Sequence, residues 1–253
     1  IEASVARNRF GWGGASGLVQ QADSDIRRAL KQQISKDGAP QPPVPLPDTP
    51  AVLAQIDAYR ASRREMTPPT GQSVSSDRDV SMTAASAGAD PEQNARARRR
   101  EISSQTFSEF AAKANLAAQG TAGFAERWAM LWANVFTVST TSLETLALVG
   151  QFEREAIRPH VFGRFQDLTL AAEMHPAMLS YLDQVRSVGP NSRAGQRRTV
   201  GLNENLAREI MELHTVGSRA GYTQADVTEL ARSLTGWGVV EQGPDPFIFR
   251  INR

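Results

Sequence analysis

A chain of 253 residues is long enough for one large domain or two small ones. Its 28 Lys and Arg stand against 27 Asp and Glu, a formal charge of +1, so no global field draws it to nucleic acid or to an anionic membrane. It has no cysteine, which excludes disulfides, thiol catalysis and cysteine-ligated zinc or iron–sulfur sites and fits either redox compartment.

The chain opens Arg-rich and runs into Gly11-Trp12-Gly13-Gly14. Arg7 and Arg9 lie beside this segment, but it lacks the spacing and the lysine of a phosphate loop. It reads as a turn that anchors Phe10 and Trp12 in the core. Residues 16–36 carry helical periodicity in Leu18, Ala22, Ile26, Leu30 and Ile34. Residues 39–50, APQPPVPLPDTP, are excluded from helix, because proline removes donors and restricts the residue before it. They form an extended proline-rich linker, read first as a rigid spacer and second as a ligand for a proline-binding domain. Residues 51–64 make a short amphipathic helix. Residues 67–90 are rich in Ser, Ala, Gly and Thr and read as a flexible loop open to proteolysis.

A long helix is predicted over 91–119. Its Arg96, Arg98, Arg99 and Arg100 are diluted by Glu92, Glu101 and Glu109 and lack interleaved aromatics, so they read as a solvated face and not a nucleic-acid site. Residues 124–138 are the most apolar helix. Phe124, Trp128, Leu131, Trp132, Val135 and Phe136 cover nearly half of it, which predicts a place at the centre of the bundle. Residues 146–159 put Glu153, Arg154, Glu155 and Arg158 on one amphipathic segment ended by Pro159. Two further helices, 162–173 and 176–183, separate at His175-Pro176, with Pro176 at a first helical position. The polar loop 187–200 leads into the next helix, a setting that often lines sites.

Over 202–215, Leu202, Leu206, Ile210 and Leu213 fall in one stripe that should face the core. Glu204, Arg208 and Glu212 lie on the opposite side, flanked by Asn205 and Glu209, and His214 sits at the flank. Asn203 can cap the start, and Gly217 or Gly221 can end the helix in a left-handed conformation. One reading of the charged side is a solvated face laced by i,i+4 pairs worth about 0.2–0.5 kcal/mol each. The other is an inward-facing acid–base or metal constellation, since carboxylates one turn apart share a cation or, when buried, hold a proton at raised pKa. A second helix starts at Thr223 with a capping-box pattern in which Asp226 takes the usual place of Glu. Val227, Leu230, Ala231 and Leu234 form its stripe, Gly236 stops it, and Trp237 folds back. The tail offers a short extended stretch at 247–251. The elements add up to an all-α protein, an irregular bundle of about eight helices forming a single domain over 1–253.

Five ordered segments carry a resemblance: LWANVFTVS, REAIRPHVFGRFQDLTLAAEMHPAMLSYLD, SVGPNSRAG, GLNENLAREIMELHTVG and GYTQADVTELARSLTGW. With the RNRFGWG start, they resemble a large bacterial family of helical proteins known only as the domain of unknown function numbered eighteen hundred. The resemblance implies an exported protein of the periplasm or cell envelope, often encoded beside a sulfatase- or phosphatase-like partner family, with no agreed activity. The family pattern falls on Arg158, His175, Asp183, Asn191, Glu204, Asn205, Arg208, Glu209, Glu212, His214, Asp226 and Trp237, among others. The chain departs from it twice. Val135 stands where the family's Asn-His-Phe-Thr has histidine, and Gln184 stands where its Tyr-Leu-Asp-Asn has asparagine. The family continues past the point where this chain stops. The expectation is therefore a C-terminal truncation, with the missing C-terminal region as a candidate partner.

Two functions follow. The first is a binding or assembly module of the cell envelope, whose polar Glu/Arg/His network fixes helix register; Val135 favours it. The alternative is an exported enzyme or metal-dependent protein in which Glu204, Arg208, Glu212 and His214 act as base, acid and anion clamp, with binding contributed by Arg158, His175, Asn191, Asn205, Glu209 and Asp226. His175 and His214 read first as residues that satisfy a helix end and second as ligands. Asp226 reads first as a cap. No H-E-x-x-H motif occurs, so neither a metal nor a cofactor is assigned. No run of about 18 apolar residues spans a bilayer.

Overall fold

The computed structural model describes residues 5, 8–10, 26–66, 90–197, 201–240 and 242–253. The turn at Trp12, the front of the 16–36 helix and nearly all of the 67–90 loop lie outside the described residues. So does the end of the 187–200 loop. Phe10, expected in the core, is 41% exposed and meets Phe124 edge-on with ring centroids 6.1 Å apart.

The fold is mostly α-helical with one small sheet. The first helix described is α1 (Ile26–Lys31). Helix α2 (Thr49–Glu65) starts two residues inside the stretch expected to be non-helical: Asp48 accepts from the Ala51 N–H at 3.0 Å, and Pro50 sits in the first turn, where a missing N–H costs nothing. It buries Val52, Leu53 and Ile56 against α3 (Pro91–Gln119) and α5 (Leu143–Gln151). In α3 the cluster Arg96, Arg98, Arg99 and Arg100 is exposed, as the sequence predicts. Glu109 does not belong to that solvated face. It is 5% exposed, because it falls on the inward row with Ile102, Thr106 and Ala112.

Helix α4 (Gly123–Val135) is not the centre of the bundle. Its buried residues are Gly123, Ala125, Glu126 and Ala129, and Leu131 is 47% exposed. Small side chains let the helix backbone approach closely, and its large rings spread along the flank. Phe124, Trp128, Trp132 and Phe136 form a ladder with successive centroids 6.2, 5.8 and 6.1 Å apart. The centre belongs to α5 and to the pair α6 (Phe165–Met174) and α7 (Pro176–Tyr181), which contribute the fully buried Leu148, Leu168, Met178 and Leu179.

Helix α5 begins with a capping box between Ser142 and Thr145 and passes without a break into a π-turn, Phe152–Ile157. The wider turn adds a residue to the winding. The four charged residues therefore do not share one outward face: Glu153 and Arg158 are buried. After α7, Asp183 adopts φ 56° and opens a single 3-10 turn, Gln184–Arg186. A short α8 (Arg193–Arg197) follows.

Helix α9 (Asn205–Glu209) also runs into a π-turn, Ile210–His214. That turn overturns a portion of the predicted stripe. Leu206 is fully buried and Leu202 and Ile210 pack on the core, but Leu213 is 66% exposed and His214 is 6% exposed. One extra residue in the turn advances the register, so His214 takes the inward position that regular winding gives to Leu213. Gly217 and Gly221 do take left-handed conformations, at φ 85° and 83°. Helix α10 (Gln224–Leu234) carries the predicted capping box, with Asp226 accepting from the Thr223 N–H at 2.7 Å. It buries Val227, Ala231 and Leu234.

The tail is more than an extended stretch. Strand β1 (Trp237–Val239) pairs antiparallel with β2 (Phe247–Phe249), Gly238 facing Ile248. Trp237 packs edge-on against Phe247 at 5.5 Å.

Candidate functional site

Arg158 is the most deeply seated charge, 1% exposed. It ends the first π-turn, where its N–H bonds to the Glu153 carbonyl at 2.9 Å. Each of its five side-chain N–H donors is engaged. Nε donates to Glu153 Oε1 at 3.0 Å, and one terminal nitrogen donates to Glu126 Oε1 at 2.5 Å and Glu153 Oε1 at 2.8 Å. The other donates to Glu126 Oε2 at 2.8 Å and to the Pro40 carbonyl at 2.7 Å. Burial works against the charge, but the hydrogen bonds that Arg158 donates to Glu126 and the charges of Glu153 and Glu126 outweigh it and hold the Arg158 pKa above its ordinary value. Lys113 of α3 closes the cluster on Glu153 Oε2.

A second cluster lies one turn back. Arg154 donates through Nε to Glu109 Oε2 and through a terminal nitrogen to Glu109 Oε1, both at 3.0 Å, a bidentate clamp. Gln151 donates to the same Glu109 Oε1 at 3.1 Å. The two clusters strap the proline-rich linker to the core. The Ala39 N–H donates to the Arg158 carbonyl at 2.8 Å, Gln41 Nε2 to the Arg154 carbonyl at 2.8 Å, and Arg154 to the Pro47 carbonyl at 2.5 Å. Residues 39–50 are thus not a spacer between bodies. Their carbonyls, which proline-rich backbone cannot pair internally, find arginine and glutamine donors. Gly38 permits the approach: it sits at φ 87°, and a Cβ there would lie 2.1 Å from the Arg158 carbonyl oxygen.

Glu204, Arg208 and Glu212 come together on the outer side of α9. Arg208 donates to Glu204 at 3.3 Å and to Glu212 at 3.2 Å, and all three side chains are partly exposed, 41% for Arg208. Their companions come from α10. Glu204 accepts from Thr228 at 2.7 Å and from Gln224 at 2.8 Å, contacts that together with Arg208 hold its carboxyl below the usual range. His214 does not join them. The π-turn sends it inward, where Nδ1 lies 2.6 Å from Glu173 Oε1 and its ring meets Phe136 at 5.0 Å. Burial pushes the Glu173 carboxyl up and the nearby charge of Glu209 adds to this, against the pull of His214. Its Oε2 is buried without a hydrogen-bond partner among the described residues.

His175 stands apart again, between α6 and α7. Nδ1 accepts from the Ala177 N–H at 3.1 Å, so it caps α7. Nε2 lies 3.1 Å from Thr49 Oγ1, whose proton goes to Glu155 at 2.7 Å. This leaves Nε2 as the donor and fixes a neutral ring. Burial holds the His175 pKa below its ordinary value.

Asn191 and Asn205 are exposed, Asn191 contributing its carbonyl to a Gln196 bond at 3.5 Å. Asp226 serves the α10 cap. The ten predicted site residues thus occupy several places: Arg158 in one buried cluster, His175 in a second, His214 and Glu209 around Glu173, and the Glu204–Arg208–Glu212 row on the outer face. No group of three His, Cys, Asp or Glu fit for a metal occurs among the described residues. Sequence reasoning missed Glu126, Glu173 and the inward role of Glu109. The signal was present: each is an acid at a helical step from apolar core residues.

A cavity of about 220 Å³ opens between α3, the end of α4 and the first π-turn. Lys113, Glu153, Arg154 and Arg158 line it together with the apolar Phe110, Val138, Val149 and Phe152.

Fold and site define a helical protein built around a self-paired ionic core. The chain belongs to the family whose description reads "Protein of unknown function (DUF1800)", matched over residues 5–253. No curated protein and no solved structure matches it. No helix among the described residues is long and apolar enough to cross a membrane.

Proposed function

We propose that this protein is a non-catalytic binding and assembly module of the cell envelope, in which the Glu/Arg/His network holds helices and linker in register. The observation that carries this reading is Arg158: with all five donors engaged by Glu126, Glu153 and Pro40, it has none left for a substrate. His175 is occupied in the same way by Thr49 and Ala177. The export typical of the family it resembles supports the envelope placement, and a sulfatase- or phosphatase-like envelope protein is the partner that resemblance suggests.

The test is turnover. Purified protein is assayed on aryl phosphate and aryl sulfate esters, with and without added divalent metals, beside Glu204→Gln and Glu212→Gln. The module reading expects no rate above that of the variants. A rate that disappears in Glu204→Gln would replace it with the enzymatic alternative built on Glu204, Arg208 and Glu212.

A further inference from the structure

We propose that the cavity beside Lys113 and Glu153 binds a free α-amino acid with an apolar side chain, its carboxylate on Lys113 and its ammonium on Glu153. The inference rests on the binding-module reading and names a ligand class for it.

Size comes first. A cavity on the order of 150 Å³ accepts a benzene-sized molecule. The space here, about 220 Å³, leaves room for such a group and a small polar head. The lining then offers two chemistries, and a ligand that uses both has an apolar group and a polar head. Phe110, Phe152, Val138 and Val149 offer apolar surface, and Lys113, Glu153 and Arg154 offer charge.

Charge balance selects the head. Six ionic side chains meet around this wall: Lys113, Arg154 and Arg158 against Glu109, Glu126 and Glu153. They already sum to zero. A ligand with one net charge would leave a charge uncompensated beside the buried Glu109, Glu126 and Arg158, which is costly. A zwitterion does not. Lys113 is the most exposed of the six at 33% and is the partner free to swing. It leaves Glu153 Oε2 for the ligand carboxylate, and the ligand ammonium takes its place on Oε2. Glu153 Oε1 keeps both Arg158 bonds throughout. One ion pair becomes two, and the sum stays zero. Phe110, 48% exposed beside Lys113 on the same helix, can then cover the apolar end.

Isothermal titration calorimetry with L-phenylalanine and L-leucine tests this, with 3-phenylpropanoate and phenethylamine as probes that each lack one charge. The expected result is saturable heat for the amino acids and at least about tenfold weaker binding for either probe. Lys113→Gln, a partly exposed change, should weaken binding by a similar factor. Ala133→Leu, which fills the cavity, should abolish it; circular dichroism checks that both variants fold. No heat at about 10 mM amino acid overturns the proposal. Undiminished binding in folded Lys113→Gln and Ala133→Leu, or equal binding of 3-phenylpropanoate, overturns it as well. A negative titration leaves the turnover assay unaffected, so the two readings fail separately.

Discussion

Arg158 donates to the carbonyl oxygen of Pro40 at 2.7 Å, across 118 residues of chain. Two carboxylates hold the same guanidinium from the other side. One side chain thus fixes α4, the first π-turn and the start of the proline-rich linker to each other.

Removing it leaves Glu126 without its cation and Glu153 with Lys113 alone. Arg158→Met should destabilise the protein by about 3–5 kcal/mol, the usual cost of breaking a buried pair from one side. Arg208→Met, at a partly exposed row, should cost no more than about 1 kcal/mol and should respond to salt. Urea unfolding of both variants at neutral pH measures the difference. Equal losses would mean that burial does not separate the two arginines.

Gly150 is packed against Glu109. A Cβ there would stand 2.7 Å from the Glu109 Cγ and 2.8 Å from its Cβ. Gly150→Ala would ordinarily favour a helix by up to about 1 kcal/mol. Here it should destabilise by about 1–3 kcal/mol through overpacking and displacement of the Glu109–Arg154 clamp. A rise in the thermal midpoint would show that Glu109 can move aside without loss.

His175 makes stability depend on pH. Burial lowers its folded pKa below the ordinary value of about 6.5, so between the two values the unfolded chain binds a proton that the native protein does not. Stability from this group is fully present above about pH 6.5 and is lost as pH falls toward the folded pKa. Glu155, whose folded pKa is lowered against the effect of burial by the nearby His175, 3.7 Å away, and by its bonds from Thr49, acts in the same direction but lower, below its ordinary value of about 4.5. Glu173 acts oppositely. Burial raises its folded pKa, so its contribution is present below its ordinary value and is lost as pH rises through the raised one. His175→Gln should therefore flatten the fall in stability just below pH 6.5 and reduce the lower limb without removing it, since Thr49 still bonds to Glu155. Chemical denaturation at half-unit pH intervals reads this out, and an unchanged slope would assign the effect to another group.

The second π-turn is testable by a polar substitution. Regular winding puts Leu213 in the core, where truncation of a leucine costs about 2–5 kcal/mol. The structure exposes it by 66%. Leu213→Gln should change stability by less than about 0.5 kcal/mol. A loss of several kcal/mol would restore the regular helix and return His214 to the flank.

Helix existence was legible in the residues, because it depends on local signals. Thr223 caps α10 as read, and Asp48, Asp90 and Ser142, which the sequence reading passed over, cap their helices by the same local signal. The break at His175-Pro176 and the left-handed Gly217 and Gly221 follow from proline's missing donor and glycine's missing Cβ. The ionic row Glu204–Arg208–Glu212 was legible too, since it needs only a spacing of four. Periodicity also drew α10 correctly, since Val227, Ala231 and Leu234 lie on one regular stripe.

What the sequence determined alone is most of the helices, the cap of α10 and the family, while α8 lies inside the expected 187–200 loop. Tertiary structure decided which charges are buried. A window of consecutive residues treats Glu109, Glu126 and Arg158 as separate polar residues on three segments, and only their packing makes two neutral clusters, Arg158 and Lys113 with Glu126 and Glu153, and Arg154 with Glu109. It also decided where the winding widens to a π-turn. Each widened turn brings a side chain to long-range partners, Arg158 to the linker and His214 to Glu173, and a fixed step of about 100° per residue carries no information about them.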